Sequence, residues 1–507
     1  MAAFELVLVL LAVTALLEVF SERIGIPGPV VLVLGGIVLA VLPGMPRPAL
    51  NPELIFLIFV PPLLYAAAVQ SSLRDFRRHA PSISLLSVFL VLATTAAVAA
   101  VARAVAPELT WAAAFALGAI VSPPDAVAVT AIARRIGIPR SIVTVLEGES
   151  LFNDATALVT YRMAIAAALT GTFSLAAAAG DLVVDALGGA ALGLAIGYGY
   201  ARLHGRVCDM PEVASTMSLL VPFVAYIPAD HLGFSGVLAV VAAGLYIGRK
   251  AAAAPGAAAR VLVRSLWTVV GFLLEGLIFI LIGLELPRVL GALQDYPAIE
   301  LAKAALAVSA ALIGVRLVLV PLGALILRAL GQPVATSWRG VLFVAWAGLR
   351  GGDSLVIALS MPLVAAGGAP FPGRDLILFV TFAVIFVTLV LQGLTLKPAV
   401  RALGLAADPS EAAEEAEARR RLVAAGLAHR SALSRVAEVE ADPALDTRKL
   451  RIEVLLVERR ELVRLRDEEV IGEETLRRVQ RELDLEEMLL DSPAGTESVV
   501  HLPERKS

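Results

Sequence analysis

The sequence predicts an all-α polytopic membrane protein with a polar helical tail, and three observations support this fold class. Hydrophobic residues make up 58% of the 507 residues and charged residues only 17%, whereas an ordinary globular protein has about 45–50% and 25%. Mean hydropathy is +0.83. The charges are segregated, because 41 of the 106 residues from 402 to 507 are charged. We therefore predict a transmembrane domain over 1–401 and a charged helical cytosolic tail over 402–507.

Thirteen apolar runs are long enough to be membrane-spanning helices, which need about 17–25 residues with some shorter exceptions. Their approximate limits are 3–20, 27–43, 54–70, 81–102, 112–133, 141–169, 181–201, 213–228, 234–248, 265–286, 301–327, 340–362 and 375–396. With the tail in the cytosol, the inner loops then hold 17 Lys and Arg residues and the outer loops 5. This obeys the positive-inside rule and predicts a cell-membrane protein with its N-terminus outside.

The tail pattern predicts solvated helices. Glu and Arg alternate through 411–421, 447–467 and 473–490, as they do on a helix face exposed to water. Two interpretations stay open: a cytosolic tail without chemistry, and a tail that makes regulatory or dimer contacts.

Charged side chains inside the membrane mark the candidate functional residues, because each costs about 2.5–3.5 kcal/mol on insertion scales. Away from the span ends they are Asp125, Glu147, Glu149, Asp154, Arg162, Glu275, Arg316, Arg350 and Asp353. They concentrate in the fifth, sixth and twelfth spans.

The fifth span carries Ser122-Pro123-Pro124-Asp125. The two prolines remove backbone donors and disfavour helix at the residues before them. In a bilayer the freed carbonyls need partners from protein, water or an ion. Secondary transporters build cation sites from such broken helices, so we interpret this segment as part of a cation site rather than as a structural kink.

The sixth span carries oxygen-bearing side chains along one side. At about 100° per residue, Ser150 and Asp154 share a helix face, with Glu147 close to it. Glu149 and Asn153 form the adjacent stripe, and we infer that this side faces the break in the fifth span. Hard cations take oxygen ligands, and a desolvated carboxylate also accepts a proton near neutral pH. A carboxylate that holds either a cation or a proton is the minimum that exchange requires.

The twelfth span carries a second weak point, Gly348-Leu349-Arg350-Gly351-Gly352-Asp353-Ser354. Its glycines weaken the helix, and a buried Arg350 needs an anion nearby. The fifth and twelfth spans are seven apart, which predicts an inverted repeat of spans 1–6 and 8–13 with the seventh as linker. Interrupted segments at corresponding positions of two halves point to a transport site, with the broken helices crossing at mid-membrane.

These segments carry a resemblance to a known family over roughly residues 5–400. They are Pro61-Pro62-Leu63-Leu64-Tyr65, Ser122-Pro123-Pro124-Asp125-Ala126-Val127, the octapeptide from Glu147 to Asp154, Phe279-Ile280-Leu281-Ile282-Gly283 and Gly348-Leu349-Arg350-Gly351. Together they resemble the first monovalent cation:proton antiporter family, the NhaP-type and sodium/proton exchanger group. The resemblance implies a thirteen-span fold, usually a homodimer, that exchanges Na⁺, Li⁺ or K⁺ for H⁺ by alternating access.

The resemblance also implies roles for individual residues. Asp154 would be the carboxylate that alternates between sodium and a proton. Ser150, Glu149 and the backbone carbonyl of Pro124 would help to hold the ion.

Three further residues complete the site that the resemblance implies. Asp125 and Asn153 would lie beside the ion and bridge the two helices, and Arg350 would pair with Glu149. Because Asn153 cannot titrate, whereas similar electrogenic proteins carry Asp-Asp at this pair, we expect electroneutral 1:1 exchange.

Two positions depart from the family pattern. Many similar proteins have threonine at the position of Pro124, so only its carbonyl can serve here. Asp353 stands where similar proteins carry a small apolar residue, one turn from Arg350, for which it would compete with Glu149. Glu275 and Arg316, in the tenth and eleventh spans, are expected either to pair or to lie on the ion path.

Two other functions match parts of the sequence, an intramembrane serine protease and a cation channel. Gly233-Phe234-Ser235-Gly236 matches the motif of rhomboid-type serine proteases, but the only histidines after it, His429 and His501, lie in the polar tail, and that chemistry needs a nearby base. A cation channel would also suit broken helices, but titratable ligands favour exchange. We expect neither enzymatic activity, a cofactor, nor nucleic acid as a partner.

Overall fold

The computed structural model describes residues 2–24, 26–42, 51–71, 76–77, 79–125, 129, 138–171, 175–251, 254, 256–334, 336–365, 369–405, 410–440 and 447–491. Within these ranges the chain is helical, without β-strands. The predicted all-α class is therefore confirmed.

Within the described ranges fourteen helices precede the tail, and their positions follow the predicted spans. They are α1 Ala2–Ile24, α2 Gly28–Val41, α3 Pro52–Gln70, α4 Ala80–Val105, α5 Trp111–Val121, α6 Arg140–Thr170, α7 Leu175–Val207, α8 Pro211–His231, α9 Gly236–Ala251, α10 Ala257–Ala292, α11 Ala298–Ala329, α12 Trp338–Trp346, α13 Gly352–Leu359 and α14 Arg374–Ala402. Local chemistry starts several of them: the side chains of Asn51, Thr110 and Ser337 accept hydrogen bonds from backbone N–H groups in the first turns of α3, α5 and α12, which otherwise lack partners.

Seven of the described helices are both long and apolar enough to cross a membrane: α3, α4, α8, α10, α11, α14 and the part of α7 from Val183 to Val207. Over the residues that the structure describes, the remaining predicted spans coincide with helices that are shorter, interrupted or more polar; most of the fifth span after Asp125 lies outside the described residues. The count of thirteen spans and the inverted repeat stay predictions.

The predicted division between the eighth and ninth spans is present. Helix α8 ends at His231 and α9 begins at Gly236. The turn between them uses Gly233 at φ +77°, a backbone conformation that favours glycine. The hydroxyl of Ser235 accepts a hydrogen bond from the N–H of Leu238 at 3.3 Å, so this serine caps α9.

Helix α7 packs directly on α9 through a stripe of glycines. A Cβ atom placed on Gly189 would lie 2.3 Å from the carbonyl oxygen of Ser235, and one on Gly193 would lie 2.1 Å from that of Ala239. Glycine therefore allows the two backbones to touch, as small residues do between membrane helices.

The tail folds into three helices: α15 Ser410–Glu440, α16 Thr447–Asp467 and α17 Glu473–Asp491. They bury an apolar cluster of their own that includes Leu422, Leu455 and Leu476. Helix α17 also contacts the membrane helices, because Arg260 Nε donates to Asp484 Oδ2 at 3.2 Å and Arg477 donates to the carbonyl oxygens of Gln70 and Ser71. The division of the chain at residues 401 and 402 stays a prediction.

Candidate cation-binding site

The first interruption follows α5. The helix ends at Val121, and Ser122 to Asp125 are not helical. Ser122, Pro123 and Pro124 are nevertheless buried. The prolines thus stop a helix inside the protein, as their sequence predicts.

The second interruption lies between α12 and α13. Residues 347–351 are not helical, and all five are buried. The N–H of Arg350 donates to the hydroxyl of Thr388 on α14 at 3.2 Å. A side chain from a neighbouring helix therefore satisfies a donor that the broken helix leaves without its usual partner.

The two interruptions are in direct contact. The N–H of Asp125 donates to the carbonyl oxygen of Leu349 at 2.8 Å, and the guanidinium of Arg350 donates to the carbonyl oxygen of Ser122. A Cβ atom placed on Gly351 would lie 2.2 Å from an Asp125 carboxylate oxygen. Glycine at this position therefore lets the Asp125 carboxylate lie against the second broken segment.

Helix α6 presents its polar stripe to the first interruption. Asn153 Nδ2 donates to the carbonyl oxygen of Pro124 at 3.2 Å. The other amide atom, Asn153 Oδ1, is buried and accepts no hydrogen bond from the described residues. The inference that this side of the sixth span faces the break is thus borne out by the contact.

Asp154 lies beside these groups without a protein cation. Its side chain is half-buried, as is that of Ser150 one turn before it. The charged groups that act on Asp154 are the carboxyl groups of Asp353 and Asp125. Among the described residues, the Asp154 carboxylate takes part in no ion pair or side-chain hydrogen bond.

Glu149 pairs with Arg316, and this corrects two predictions. Arg316 Nη2 donates to Glu149 Oε2 at 2.8 Å, Nη1 donates to the other carboxylate oxygen, and the side chains are 2% and 1% exposed. The predicted pairs of Glu149 with Arg350 and of Glu275 with Arg316 are therefore wrong. Both Glu149 oxygens accept a hydrogen bond from this guanidinium, so Arg316 is the counter-ion of Glu149, and the role of Glu149 as a cation ligand stays a prediction.

The space at Gly348 and two backbone carbonyl acceptors explain the arrangement of the two arginines. A Cβ atom on Gly348 would lie 2.6 Å from Arg316 Cδ, so the broken segment leaves room for the Arg316 side chain to pass. Arg316 Nε then donates to the carbonyl oxygen of Val344 at 3.1 Å. Arg350, which is 1% exposed, uses the carbonyl oxygen of Ser122 instead of a carboxylate.

Two acidic residues extend the site beyond the sixth span. Asp353, at the start of α13, has Asp125 as its charged neighbour, and Glu275 on α10 has Asp125 and Asp353. Asp353 therefore belongs to the carboxylate group around Asp154. The prediction that it competes with Glu149 for Arg350 is wrong. Glu147 is separate, because it lines a cavity on the side where the tail packs.

Comparisons with known proteins assign the chain to a family. Residues 8–402 match the profile of the transmembrane sodium/hydrogen exchangers. The chain belongs to the sodium/hydrogen exchanger family. This membership confirms the sequence-based family resemblance and the prediction of a multi-span cation/proton antiporter.

Individual members of the sodium/hydrogen exchanger family are similar over most of the chain. An uncharacterised Na⁺/H⁺ exchanger of Mycobacterium bovis is 34% identical over 538 residues, which cover 97% of this chain and 98% of that protein. The Na⁺/H⁺ antiporter NhaP of Pseudomonas aeruginosa is 34% identical over 372 residues, or 72% of this chain and 84% of that protein.

A solved structure of the family shares the fold. The sodium/proton antiporter MjNhaP1 of Methanocaldococcus jannaschii superposes with a TM-score of 0.61 at 20% identity, covering 80% of this chain and 100% of that one. The exchanger family is one of transporters, and the serine considered as a protease nucleophile, Ser235, caps a helix here.

Proposed function

We propose that this antiporter exchanges Na⁺ for H⁺ by alternating access at Asp154. The observation that carries the proposal is the position of this half-buried carboxylate, which has no cationic partner among the described residues and adjoins two helices interrupted inside the protein. Broken helices of this kind form the ion sites of secondary transporters.

The oxygen atoms around Asp154 supply a ligand set for sodium. We assign the Asp154 carboxylate, the Ser150 hydroxyl and the Pro124 carbonyl to the ion. The Pro124 oxygen already accepts from Asn153 at 3.2 Å, but a carbonyl oxygen has a second lone pair. Asp125 and Asn153 hold the first interruption in place next to these ligands.

Competition for one carboxylate couples the two ions. A protonated Asp154 no longer attracts sodium, and a sodium ion at Asp154 displaces the proton. Glu149 is already paired with Arg316, and the Asn153 amide has no proton to exchange, so we propose that one proton is exchanged for one cation and that transport is electroneutral.

The test is exchange by the purified protein in vesicles that contain a pH-sensitive dye. Addition of Na⁺, Li⁺ or K⁺ is expected to move protons in the opposite direction, and the three cations compared in one assay give the selectivity. Asp154→Asn keeps the size of the side chain and is expected to abolish the signal. Asp295→Asn, at an exposed loop residue, is the matched control. Normal exchange by folded Asp154→Asn would contradict the proposal.

We further propose a homodimer in the cell membrane, with the N-terminus outside and the tail in the cytosol. The single cysteine, Cys208, follows α7 on the side where the tail packs. A membrane-impermeant maleimide should therefore label Cys208 in inside-out vesicles and not in right-side-out vesicles until they are permeabilised. Native mass spectrometry of the detergent-solubilised protein should give twice the mass of one chain.

A further inference from the structure

A cavity of about 650 Å³ lies between the tail and the membrane helices. The residues that we assign to the ion, including Asp154, do not line it; Glu147 does. Tyr65, Tyr200 and Trp267 form an aromatic part of its wall. The volume lies within the range of about 300–1,000 Å³ that is typical of small-molecule sites.

The lining of this cavity is strongly cationic. The membrane helices contribute Arg140, Lys250, Arg260 and Arg264. Helix α17 of the tail contributes three more arginines, whereas the carboxylates among the described lining residues are those of three glutamates. A collection of like charges in a confined space raises the local potential and attracts anions.

Some of these cations already have acceptors in the protein. Arg260 pairs with Asp484, and Arg478 pairs with Glu415 at 3.0 Å. The tail residue Arg477 donates to backbone carbonyl oxygens at the end of α3. The contacts of Arg260 and Arg477 fix α17 on the membrane domain, whereas that of Arg478 lies within the tail.

Three cations of the lining have no carboxylate partner among the described residues: Lys250, Arg264 and Arg481. Arg264 is half-buried; its positively charged neighbours are Arg481, Arg477 and Arg260, and its negatively charged neighbour is Asp484. Positive charges therefore outnumber negative ones around Arg264, and a bound anion would lower their mutual repulsion.

We propose that this cavity binds a phosphate-bearing anionic ligand. The Arg264 and Arg481 guanidinium groups present planar forks that match phosphate oxygens, and the aromatic wall suits an apolar part of the same molecule. The phosphate belongs either to an anionic lipid headgroup or to a soluble phosphate compound. Because its partners come from α9, α10 and α17, the ligand stabilises the contact of the tail with the membrane domain.

The test uses the full chain in nanodiscs and measures binding, so its outcome does not depend on the transport proposal. One arm titrates inorganic pyrophosphate, at constant ionic strength, into nanodiscs of phosphatidylcholine. The other arm replaces part of the phosphatidylcholine with phosphatidylglycerol. Both arms measure the unfolding temperature and the tryptophan fluorescence of the protein. The variant Trp267→Phe shows how much of the fluorescence change comes from Trp267.

The variant that tests the site is the double change Arg264→Gln and Arg481→Gln. Since the change removes two charged hydrogen-bond donors to the ligand, binding should weaken roughly tenfold or more. The control is Arg288→Gln with Arg421→Gln, which removes the same two charges from α10 and the tail outside the cavity. If the double variant does not fold, Arg481→Gln alone, at an exposed tail residue, decides.

The outcomes separate the two ligand sources. A response to pyrophosphate assigns the site to a soluble phosphate compound, and a response to phosphatidylglycerol alone assigns it to a headgroup. No response in either arm overturns the proposal, as does an equal response of the cavity variant and the control.

Discussion

Loss of one partner of the Glu149–Arg316 pair is expected to destabilise the membrane domain strongly. The perturbation is Arg316→Met, which keeps an apolar side chain of similar length and removes the guanidinium. Both partners are at most 2% exposed, so the surface value of about 0–1 kcal/mol for an ion pair does not apply. A buried carboxylate left alone costs about 3–5 kcal/mol.

The assay is a double-mutant cycle on the free energy of unfolding in detergent, measured by denaturant titration. Glu149→Gln and Arg316→Met are each expected to destabilise, whereas the double variant should be less destabilised than their sum, because neither charge is then left without its partner. Arg350→Met gives the control cycle. Its guanidinium donates to the Ser122 carbonyl and interacts with the Glu149 charge without a direct hydrogen bond, so its coupling to Glu149→Gln should be smaller than that of Arg316→Met.

Two outcomes of the cycle would contradict the Glu149–Arg316 pair. Coupling of Glu149 to Arg350, with none to Arg316, would restore the pairing expected from the sequence resemblance. A folded Arg316→Met protein with wild-type stability would show that the buried pair does not contribute as the geometry requires.

Three further predictions concern the interrupted helices. Gly351→Ala should slow exchange roughly tenfold or more, because an added Cβ would lie 2.2 Å from an Asp125 oxygen and small displacements at a reacting site are costly. The control is Gly314→Ala, whose added Cβ would meet nothing within 4 Å. Equal exchange rates of the two variants would contradict the steric argument. Asp353→Asn should raise the KM for Na⁺ roughly tenfold, equivalent to about 1.4 kcal/mol, since the change removes a negative neighbour of Asp154. The vesicle dye assay measures this KM, and an unchanged value would show that Asp353 does not help to attract Na⁺. In vesicles clamped with potassium and valinomycin at about 0 and −100 mV, the exchange endpoint should not move, although one net charge would be worth about 2.3 kcal/mol per 100 mV; a shifted endpoint would mean that a second carboxylate titrates.

The broken helices were predictable in part, because some of their causes are local. Two consecutive prolines follow the end of α5 at Val121, and glycines around Arg350 weaken the helix there. Helix α3 nevertheless continues through Pro61 and Pro62, so the packing around a pair of prolines also decides whether a helix ends. The period of an α-helix likewise places Asn153 and Asp154 towards one side of α6. The contact of Asn153 with Pro124 at 3.2 Å follows that pattern.

The partner of Glu149 was not predictable in the same way, because helical periodicity gives a face and not the helix that lies opposite. Arg316 is distant in sequence and enters through space left by Gly348. The docking of the tail likewise depends on two surfaces that are distant in sequence. Alternating Glu and Arg indicated a solvated helix, yet Arg477 binds backbone carbonyls at the end of α3.

The arrangement of the two buried arginines supports the proposal that Asp154 binds the transported ions. Arg316 is committed to Glu149 by two hydrogen bonds, and Arg350 is committed to the carbonyl oxygen of Ser122. Neither guanidinium is paired with Asp154 in the described part of the chain. A half-buried carboxylate is costly to leave charged and alone, so Asp154 gains from either a proton or a sodium ion. Each arginine thus stabilises the site while the charge that must be offset at Asp154 remains available for exchange.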